Sequence, residues 1–440
     1  MTRISSSFFT LSLALFSQAF KLPASLQLAR RDLDILDDGV LFSGPNQDDL
    51  FVAITVGESV VPVQLDIESS DLWVAGSLNS SDFTSSRTLP SGAIGSACIG
   101  FAGTNVTQQF YHSDNAPQGW PSSPQSFNAY GRLGLGSTAN SQITKDADDG
   151  SRSFIDQLIL GNGSALFITL LVSTLETDKG NALVPNGFLT VGTTVDLSNV
   201  FGVSLDRLSA VGVPIMSRVT SQPKIQIGSG GTFVVDDIRI SGKSIGLESS
   251  VGGAPSGKPV AKLSTTSPWI VAPKSIVDTL YAGVPGASYS ASERLYHLPC
   301  SAEISVTIVI AGVSYPLSSL DVIGTKVGSD TCVGMFQAAE GSSQGYDLLM
   351  GLPFLRNAYT LYGYGNADGK TLREPYYQFL PISTPSDSHA LFIQARSPAP
   401  TPAPNPQAVT HTVFTTTTHT PTTTIWVCWN MVVLRSPHTD

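Results

Sequence analysis

Short apolar runs separated by turn-forming residues dominate the chain between residues 49 and 381. β-Branched and aromatic residues form these runs, and Gly, Pro, Asn and Ser interrupt them; examples are the segments 51–56, 61–65, 188–191, 232–240 and 304–310. Runs of this length with frequent turn signals predict an all-β protein rather than alternating βαβ units. Two segments, 153–160 and 274–281, predict short helices.

A weak internal repeat accompanies this pattern. In the first half, the sequence VQLD at 63–66 is followed later by RLGLG at 132–136. In the second half, AKLS at 261–264 is followed by LLMG at 348–351. Each half therefore offers an apolar strand that leads into a polar turn, and then an apolar element that ends in Gly. A duplication of this size predicts two pseudo-equivalent lobes with a cleft between them.

The composition narrows the possible partners. The chain has 440 residues, of which 41% are hydrophobic and 13% charged, and its 24 basic and 34 acidic residues give a formal charge of −10. This is enough apolar material for two folded lobes, and an acidic chain without basic clusters argues against nucleic acid and anionic membranes as partners. The cysteine and histidine spacings suit no metal site, so we expect no metal or cofactor, and we expect a monomer.

The N-terminus predicts secretion. Arg3 precedes an apolar run at 8–16, and the residues at 17–19 are of the kind that precede a signal-peptidase cut. We therefore predict a signal peptide over residues 1–19 and a short pro-segment or N-terminal extension over 20–46. The pair Arg30-Arg31 fits either a processing site or an ordinary exposed pair.

Secretion changes how cysteines and asparagines are interpreted, because disulfides persist outside the cytosol. Cys300 and Cys332 flank a β-rich stretch and can bridge, whereas Cys98 is expected to be a buried thiol. Three Asn-x-Ser/Thr sequons are candidate glycosylation sites, at Asn79, Asn105 and Asn162.

The composition changes after Ser383. Pro, Thr and Ala dominate residues 397–424, and we interpret 384–424 as an extended stalk that can carry O-linked glycans. The last segment, 425–440, contains an apolar run at 425–434 that is too short to cross a membrane as a helix. An anchor, a truncated anchor and a soluble tail all remain open for it.

Three segments carry a resemblance to a known family. The segment FVAITVGESVVPVQLDIESSDLWVAGS at 51–77 resembles the first active-site strand of pepsin-like aspartic peptidases, and Asp66 falls on the family's first catalytic aspartate. The segment YDLLMGLPFLRNAYTLYGYG at 346–365 resembles the family's closing apolar element, and GFLTVG at 187–192 resembles the turn that opens its inter-lobe region. The resemblance covers about residues 49–381 in the right order.

This resemblance implies an all-β, bilobal pepsin-like aspartic peptidase fold with a central cleft. It implies an N-lobe over residues 47–185, a C-lobe over 186–383, and a C-lobe disulfide between Cys300 and Cys332. It also implies a catalytic centre of two aspartates, each in an Asp-Thr-Gly turn, that share a proton across the lobes. The ionised aspartate then activates a water, and the protonated one polarises the peptide carbonyl.

The sequence departs from that centre in both turns. The first turn reads Asp66-Ile67-Glu68, so the Thr hydroxyl is lost and a charged side chain replaces Gly. The second turn reads Ser264-Thr265-Thr266, so Ser264 stands at the position of the second aspartate. Thr265 keeps its hydroxyl, but Ile67 has no hydroxyl with which to form the matching hydrogen bond from the other turn. The flap is also altered, since no Tyr occurs between residues 73 and 110, and its remnant lies at 89–92.

We interpret the protein as a secreted, catalytically inactive relative of these peptidases, whose cleft binds a peptide, protein or polysaccharide without cleaving it. Loss of one positioned acid or base typically lowers a rate by about 10²–10⁴-fold. One alternative is an active acid endopeptidase that uses Asp66 with Glu68 as a surrogate, because residues two apart point to the same side of a strand. Another is a cell-surface glycoprotein whose lobes are mainly structural.

Overall fold

The computed structural model describes residues 40–43, 50–75, 78, 81–89, 92–101, 104–113, 131–136, 140–147, 152–161, 167–172, 184–195, 219–328, 330–367 and 372–396. Within these residues the chain is mostly β-strand with a few short helices, which confirms the all-β, bilobal fold. No helix in this part of the chain is long and apolar enough to span a membrane. The predicted signal peptide, the tail after residue 396, Asn79 and Asn162 lie outside the described residues.

The described residues contain 28 strands. In chain order they are β1 (Val40–Ser43), β2 (Leu50–Val56), β3 (Ser59–Asp66), β4 (Leu72–Val74), β5 (Thr84–Leu89), β6 (Gly92–Phe101), β7 (Thr104–His112), β8 (Gly131–Gly134), β9 (Phe167–Val172), β10 (Val184–Val191), β11 (Ile225–Gln226), β12 (Thr232–Val234), β13 (Asp237–Ile240), β14 (Lys243–Ser244), β15 (Val260–Leu263), β16 (Ile270–Ala272), β17 (Ser288–Ser290), β18 (Leu295–Pro299), β19 (Val306–Ile310), β20 (Val313–Leu317), β21 (Ile323–Lys326), β22 (Thr331–Gly334), β23 (Phe336–Ala338), β24 (Leu348–Met350), β25 (Ala358–Gly363), β26 (Asn366–Ala367), β27 (Leu372–Arg373) and β28 (Tyr376–Pro381).

Helices are short and lie between the strands. The α-helices are α1 (Gln142–Ala147), α2 (Phe154–Gly161), α3 (Lys274–Tyr281), α4 (Ser319–Val322), α5 (Leu352–Leu355) and α6 (Pro385–Arg396), and 3₁₀ turns occupy Val219–Ser221, Ser229–Gly231 and Ser342–Gln344. Helices α2 and α3 confirm the two that the sequence predicts. Helix α3 forms because its apolar residues, Ile276, Val277, Leu280 and Tyr281, fall on one face and are buried there.

The two halves repeat one four-strand pattern. The strand order is β3-β8-β4-β7 in the first half and β15-β24-β16-β23 in the second. In both halves the two outer pairs are parallel and the middle pair is antiparallel. Leu65 lies opposite Leu133, and Leu263 lies opposite Met350. This correspondence confirms the internal repeat.

One sheet of 13 strands joins the halves, in the order β11-β28-β25-β9-β10-β1-β2-β3-β8-β4-β7-β6-β5. The halves meet where β25 pairs antiparallel with β9. Two buried tyrosines strengthen this junction: the hydroxyl of Tyr359 donates to Thr169 Oγ1 at 2.9 Å, and that of Tyr364 donates to the carbonyl of Leu135 at 2.6 Å. Shared hydrogen bonds therefore fix one half relative to the other.

The predicted disulfide between Cys300 and Cys332 is present, and it lies at the end of the β18–β22 pair. It closes a loop between residues 32 positions apart, and a link of this span typically contributes about 3–4 kcal/mol to stability. Cys98 is also disulfide-bonded, so the expectation of a buried thiol is wrong. Asn105, the described sequon, is exposed on β7.

Two expected boundaries differ from the observed elements. The boundary between residues 185 and 186 falls inside β10, which pairs with β9 and β1. The first residues of the expected stalk form helix α6 instead. This helix packs on the C-lobe because Phe392 is buried and the guanidinium of Arg396 donates to the carbonyls of Ile323 and Gly324.

Asp347 anchors the start of β24. Its buried carboxylate accepts hydrogen bonds from the hydroxyls of Ser249 and Ser250 and from the main-chain N–H groups of Ser250 and Val260. Burial alone opposes ionisation, but these donors outweigh it and hold the pKa of Asp347 below its ordinary value of 3.8. A carboxyl whose pKa is lower in the folded state stabilises the fold above the unfolded-state pKa, and this contribution is lost as the pH falls through the folded-state pKa.

The substitution Asp347→Asn is therefore expected to lower the free energy of unfolding by about 1–3 kcal/mol near neutral pH. The reason is that the NH₂ group of the new side chain would replace one acceptor oxygen and would face N–H donors that now bond the carboxylate. The difference from the wild-type protein should shrink once the pH drops below 3.8. Urea denaturation at several pH values measures it. The exposed Asp330, changed to Asn, is the control; an equal and pH-independent loss in both variants would contradict the role given to Asp347.

Candidate active site

The two turns of the candidate site follow equivalent strands. β3 ends at Asp66, and β15 ends one residue before Ser264. The strand register repeats as well: Asp66 follows Leu65, which lies opposite Leu133, and Ser264 follows Leu263, which lies opposite Met350. Asp66 and Ser264 therefore occupy equivalent positions.

Asp66 is buried, with 1% of its surface exposed. Its Oδ1 accepts hydrogen bonds from the main-chain N–H groups of Glu68, at 2.8 Å, and Ser69, at 3.3 Å. Its Oδ2 lies 3.3 Å from Nη1 of Arg132 and forms an ion pair with it. Among the described residues, the carboxylate of Asp66 thus has two main-chain donors and one cation as partners, and no second carboxyl group.

Arg132 is a site residue that the sequence analysis missed. It lies on β8 directly opposite Gln64, and its Nη2 donates to Gln64 Oε1 at 3.0 Å. Its Nε is buried without a hydrogen-bond partner in the described part of the chain. The signal for it was present, because a charged residue interrupts the apolar element at 132–136. In the second half, the equivalent position opposite Lys262 holds Leu349.

Thr265 provides one of the contacts between the two turns. Its buried hydroxyl donates to the carbonyl of Leu65 at 2.8 Å and accepts from the N–H of Ile67 at 3.0 Å. Ile67 packs against the hydrophobic core instead of returning a hydrogen bond. Thr265 therefore forms hydrogen bonds with the first turn, but the side chain of Ile67 forms none with the second turn, as the sequence indicated.

Glu68 reaches from the first turn to the second half. Ser264 Oγ donates to Glu68 Oε2 at 2.6 Å, Thr266 Oγ1 lies 3.5 Å from the same oxygen, and Lys262 Nζ lies 2.9 Å from Glu68 Oε1. The idea that Glu68 pairs with Asp66 within one lobe therefore needs correction. Among the described residues, Glu68 contacts Asp66 through its main-chain N–H and not through its carboxylate. The carboxylate of Glu68 instead contacts the hydroxyl of Ser264 and the ammonium group of Lys262, both in the second half.

Tyr346 completes the polar surroundings of Glu68 and Lys262. Burial, reinforced by the charge of Glu68 and opposed by that of Lys262, raises the pKa of the Tyr346 hydroxyl. The phenol therefore stays protonated from acidic to neutral pH, and it donates to Gln344 Oε1 at 2.9 Å. The centre thus combines two carboxylates, each beside a cation, with several hydroxyl groups. No three His, Cys, Asp or Glu side chains cluster as metal ligands in the described residues.

The flap remnant is a hairpin of β5 and β6, with Leu89 opposite Gly92. Residues 90 and 91, which connect the two strands, lie outside the described residues. Trp73, which follows the first turn, is buried and its Nε1 donates to Ser113 Oγ at 3.3 Å.

The hydroxyl of Thr265 can be tested by the nearly isosteric substitution Thr265→Val. Because it leaves the carbonyl of Leu65 and the N–H of Ile67 without partners at a buried position, we expect the free energy of unfolding to fall by about 1–3 kcal/mol. Chemical denaturation measures the change. Thr279→Val is a matched control, since the hydroxyl of Thr279 also donates to a carbonyl but is exposed. Equal small losses in both variants would show that the contact between the turns contributes little.

Comparisons with known proteins agree with this geometry. The family described as eukaryotic aspartyl protease matches residues 201–370. The aspartic protease of Phaffia rhodozyma is 25% identical over 333 residues, which cover 71% of this chain and 73% of that protein. Penicillopepsin-2 of Penicillium janthinellum is 26% identical over 366 residues, which cover 79% and 83%.

A third relative matches more closely over a shorter stretch. Major aspartyl peptidase 1 of Cryptococcus neoformans var. grubii is 32% identical over 135 residues, which cover 29% of this chain and only 27% of the relative's length. The matches to the first two proteins are long enough to extend into both halves of the repeat. The family model and these relatives support a pepsin-like aspartic peptidase family for this chain.

Proposed function

We propose that this protein is a secreted, non-catalytic member of the family that binds a peptide or protein segment in its inter-lobe cleft. One observation carries the proposal. The position of the second half that is equivalent to Asp66 holds Ser264, whose hydroxyl donates a hydrogen bond to Glu68 Oε2 at 2.6 Å. A serine hydroxyl can donate a hydrogen bond, but it cannot act as the carboxylic acid that polarises a peptide carbonyl.

The energetic consequence is large. Two close carboxyl groups share one proton because both cannot ionise easily, and this sharing supplies the acid and the base of the reaction. Without the second carboxyl group there is no shared proton, so the base and the acid of the reaction are not supplied as a pair. Groups that act as a unit usually fail together, so the loss of one is expected to remove most of the rate enhancement.

The disulfide between Cys300 and Cys332 supports secretion, since such bonds persist in oxidising compartments. The family supports a peptide or protein as the ligand, because its activity requires the cleft to accept an extended chain. A polysaccharide ligand and attachment to the cell surface are less well supported by the described residues.

The second candidate function is an acid endopeptidase that pairs Asp66 with Glu68. The observation in its favour is that the Glu68 carboxylate does reach the second turn, where the missing aspartate would lie. Against it, both carboxylates already form ion pairs, Glu68 with Lys262 and Asp66 with Arg132. The following assay separates the two candidates.

We expect purified protein to leave denatured haemoglobin and peptide libraries intact across the acidic range, with or without a statine inhibitor. The same peptides should bind without being cleaved, as measured by fluorescence polarisation with mass spectrometry of the recovered peptide. Asp66→Ala and Glu68→Gln are the matched variants. Inhibitor-sensitive cleavage that disappears in either variant would establish the endopeptidase and end the non-catalytic proposal.

Restoring the second aspartate alone is expected to fail. The substitution Ser264→Asp would place a new carboxylate beside that of Glu68, whose Oε2 now lies 2.6 Å from the Ser264 hydroxyl. Like charges at this distance disfavour each other, and Glu68 still fills the turn where the family has Gly. Single-turnover cleavage of a fluorogenic peptide measures the outcome, and activity from this one change would show that Glu68 is no obstacle.

A further inference from the structure

We propose that Arg132 silences Asp66 directly, so that the two halves of the centre are disabled independently. In the second half, Ser264 stands where the family has its second aspartate, so the acid is absent. In the first half the acid, Asp66, is present, but Arg132 holds its carboxylate in an ion pair. This inference rests on the proposed non-catalytic function and adds a cause to it. Arg132 acts through Asp66 and is therefore a positioning residue.

The strand register brings Arg132 to Asp66. Arg132 lies directly opposite Gln64 in the parallel β3–β8 pair, and Asp66 comes two residues later on β3. Residues two apart on a strand point to the same side, so Gln64 and Asp66 share the side to which Arg132 extends. The guanidinium bonds both of them, with Nη2 on Gln64 and Nη1 on Asp66.

The other half shows that the fold does not require this arginine. At the equivalent position the second half uses Leu349, opposite Lys262, in the same parallel pairing. A buried ion pair is often no more stable than apolar residues of similar volume. Both side chains of the Asp66–Arg132 pair are nearly inaccessible, at 1% and 4% exposure, and the Nε of Arg132 is left without a partner in the described residues.

The chemical effect follows from the donors around Asp66. A general base must lie within hydrogen-bond reach of the proton that it takes, here a proton of the attacking water. Two main-chain N–H groups occupy Oδ1, and the guanidinium occupies Oδ2. Restoring the acid in the second half leaves this arrangement in place, so a repaired pair would still lack a base.

The test begins from a repaired pair of turns, Glu68→Gly with Ser264→Asp. To this double variant we add Arg132→Leu, which copies the second half, or Arg132→Gln, which keeps a hydrogen-bond donor without the charge. Arg132→Lys keeps the charge and Arg239→Leu removes an exposed arginine from an ion pair elsewhere. Cleavage of a fluorogenic peptide is followed over the acidic pH range, and far-UV circular dichroism with thermal melting checks the fold.

The proposal expects the Leu and Gln variants to cleave at least about 100-fold faster than the double variant, the scale of one positioned base. The Lys and Arg239 variants should stay at the level of the double variant. If the double variant already cleaves as fast as the triple variants, or if folded triple variants gain nothing, Arg132 does not silence Asp66. Either result leaves the non-catalytic function of the wild-type protein intact; only cleavage by the wild-type protein removes that.

A second measurement covers the case in which the triple variants do not fold. In the otherwise wild-type chain, Asp66 should resist alkylation by a carboxylate-directed epoxide, and Arg132→Gln should make it react, as read by peptide mass spectrometry. Arg132→Lys should protect Asp66 as the wild-type arginine does. Equal labelling of Asp66 in the wild-type protein and in folded Arg132→Gln would overturn the proposal.

Discussion

The centre of this molecule depends on one hydroxyl group. Thr265 bonds the carbonyl of Leu65 and the N–H of Ile67, and in doing so it holds the turn of one half against the turn of the other. The contacts of Glu68 with Ser264 and Lys262 cross the same junction and add to the contact that Thr265 makes. The contact that brings the two turns together is thus present in a chain whose second turn begins with Ser264 rather than with an aspartate.

Charge compensation distinguishes this centre from one that shares a proton. An active pair of aspartates needs its partners close and incompletely neutralised, because the function of the pair is to exchange a proton. Here each carboxylate has a cation as its partner: Arg132, on the neighbouring strand β8, pairs with Asp66, and Lys262, on β15 of the other half, pairs with Glu68. The centre therefore contains two ion pairs, each between one carboxylate and one cation.

The fold could be predicted from the sequence because its signals are local and repeated. The two apolar elements that end in Gly, at 132–136 and 348–351, predicted two equivalent units, and the structure contains them as the pairs β3–β8 and β15–β24. That Ser264 holds the position in the second half that Asp66 holds in the first could be predicted for the same reason. The partners of the Glu68 side chain could not be predicted. The alternation of residues along a strand indicates which side a residue faces, but it does not indicate which residues of the other half lie there. Arg132 was missed although its charge stands in an apolar element, since its meaning depends on the register with Gln64. Helix α6 was missed because the composition of its neighbours in the chain resembles a linker.

Helix α6 has a mechanical consequence. The burial of Phe392 and the hydrogen bonds from Arg396 to the carbonyls of Ile323 and Gly324 attach residues 385–396 to the edge of a C-lobe sheet. Tension applied at Arg396 would therefore be borne first by these hydrogen bonds and by β21. The contacts of Thr265 involve none of these residues, so a pull on helix α6 would load the C-lobe sheet before it loads the contact between the turns.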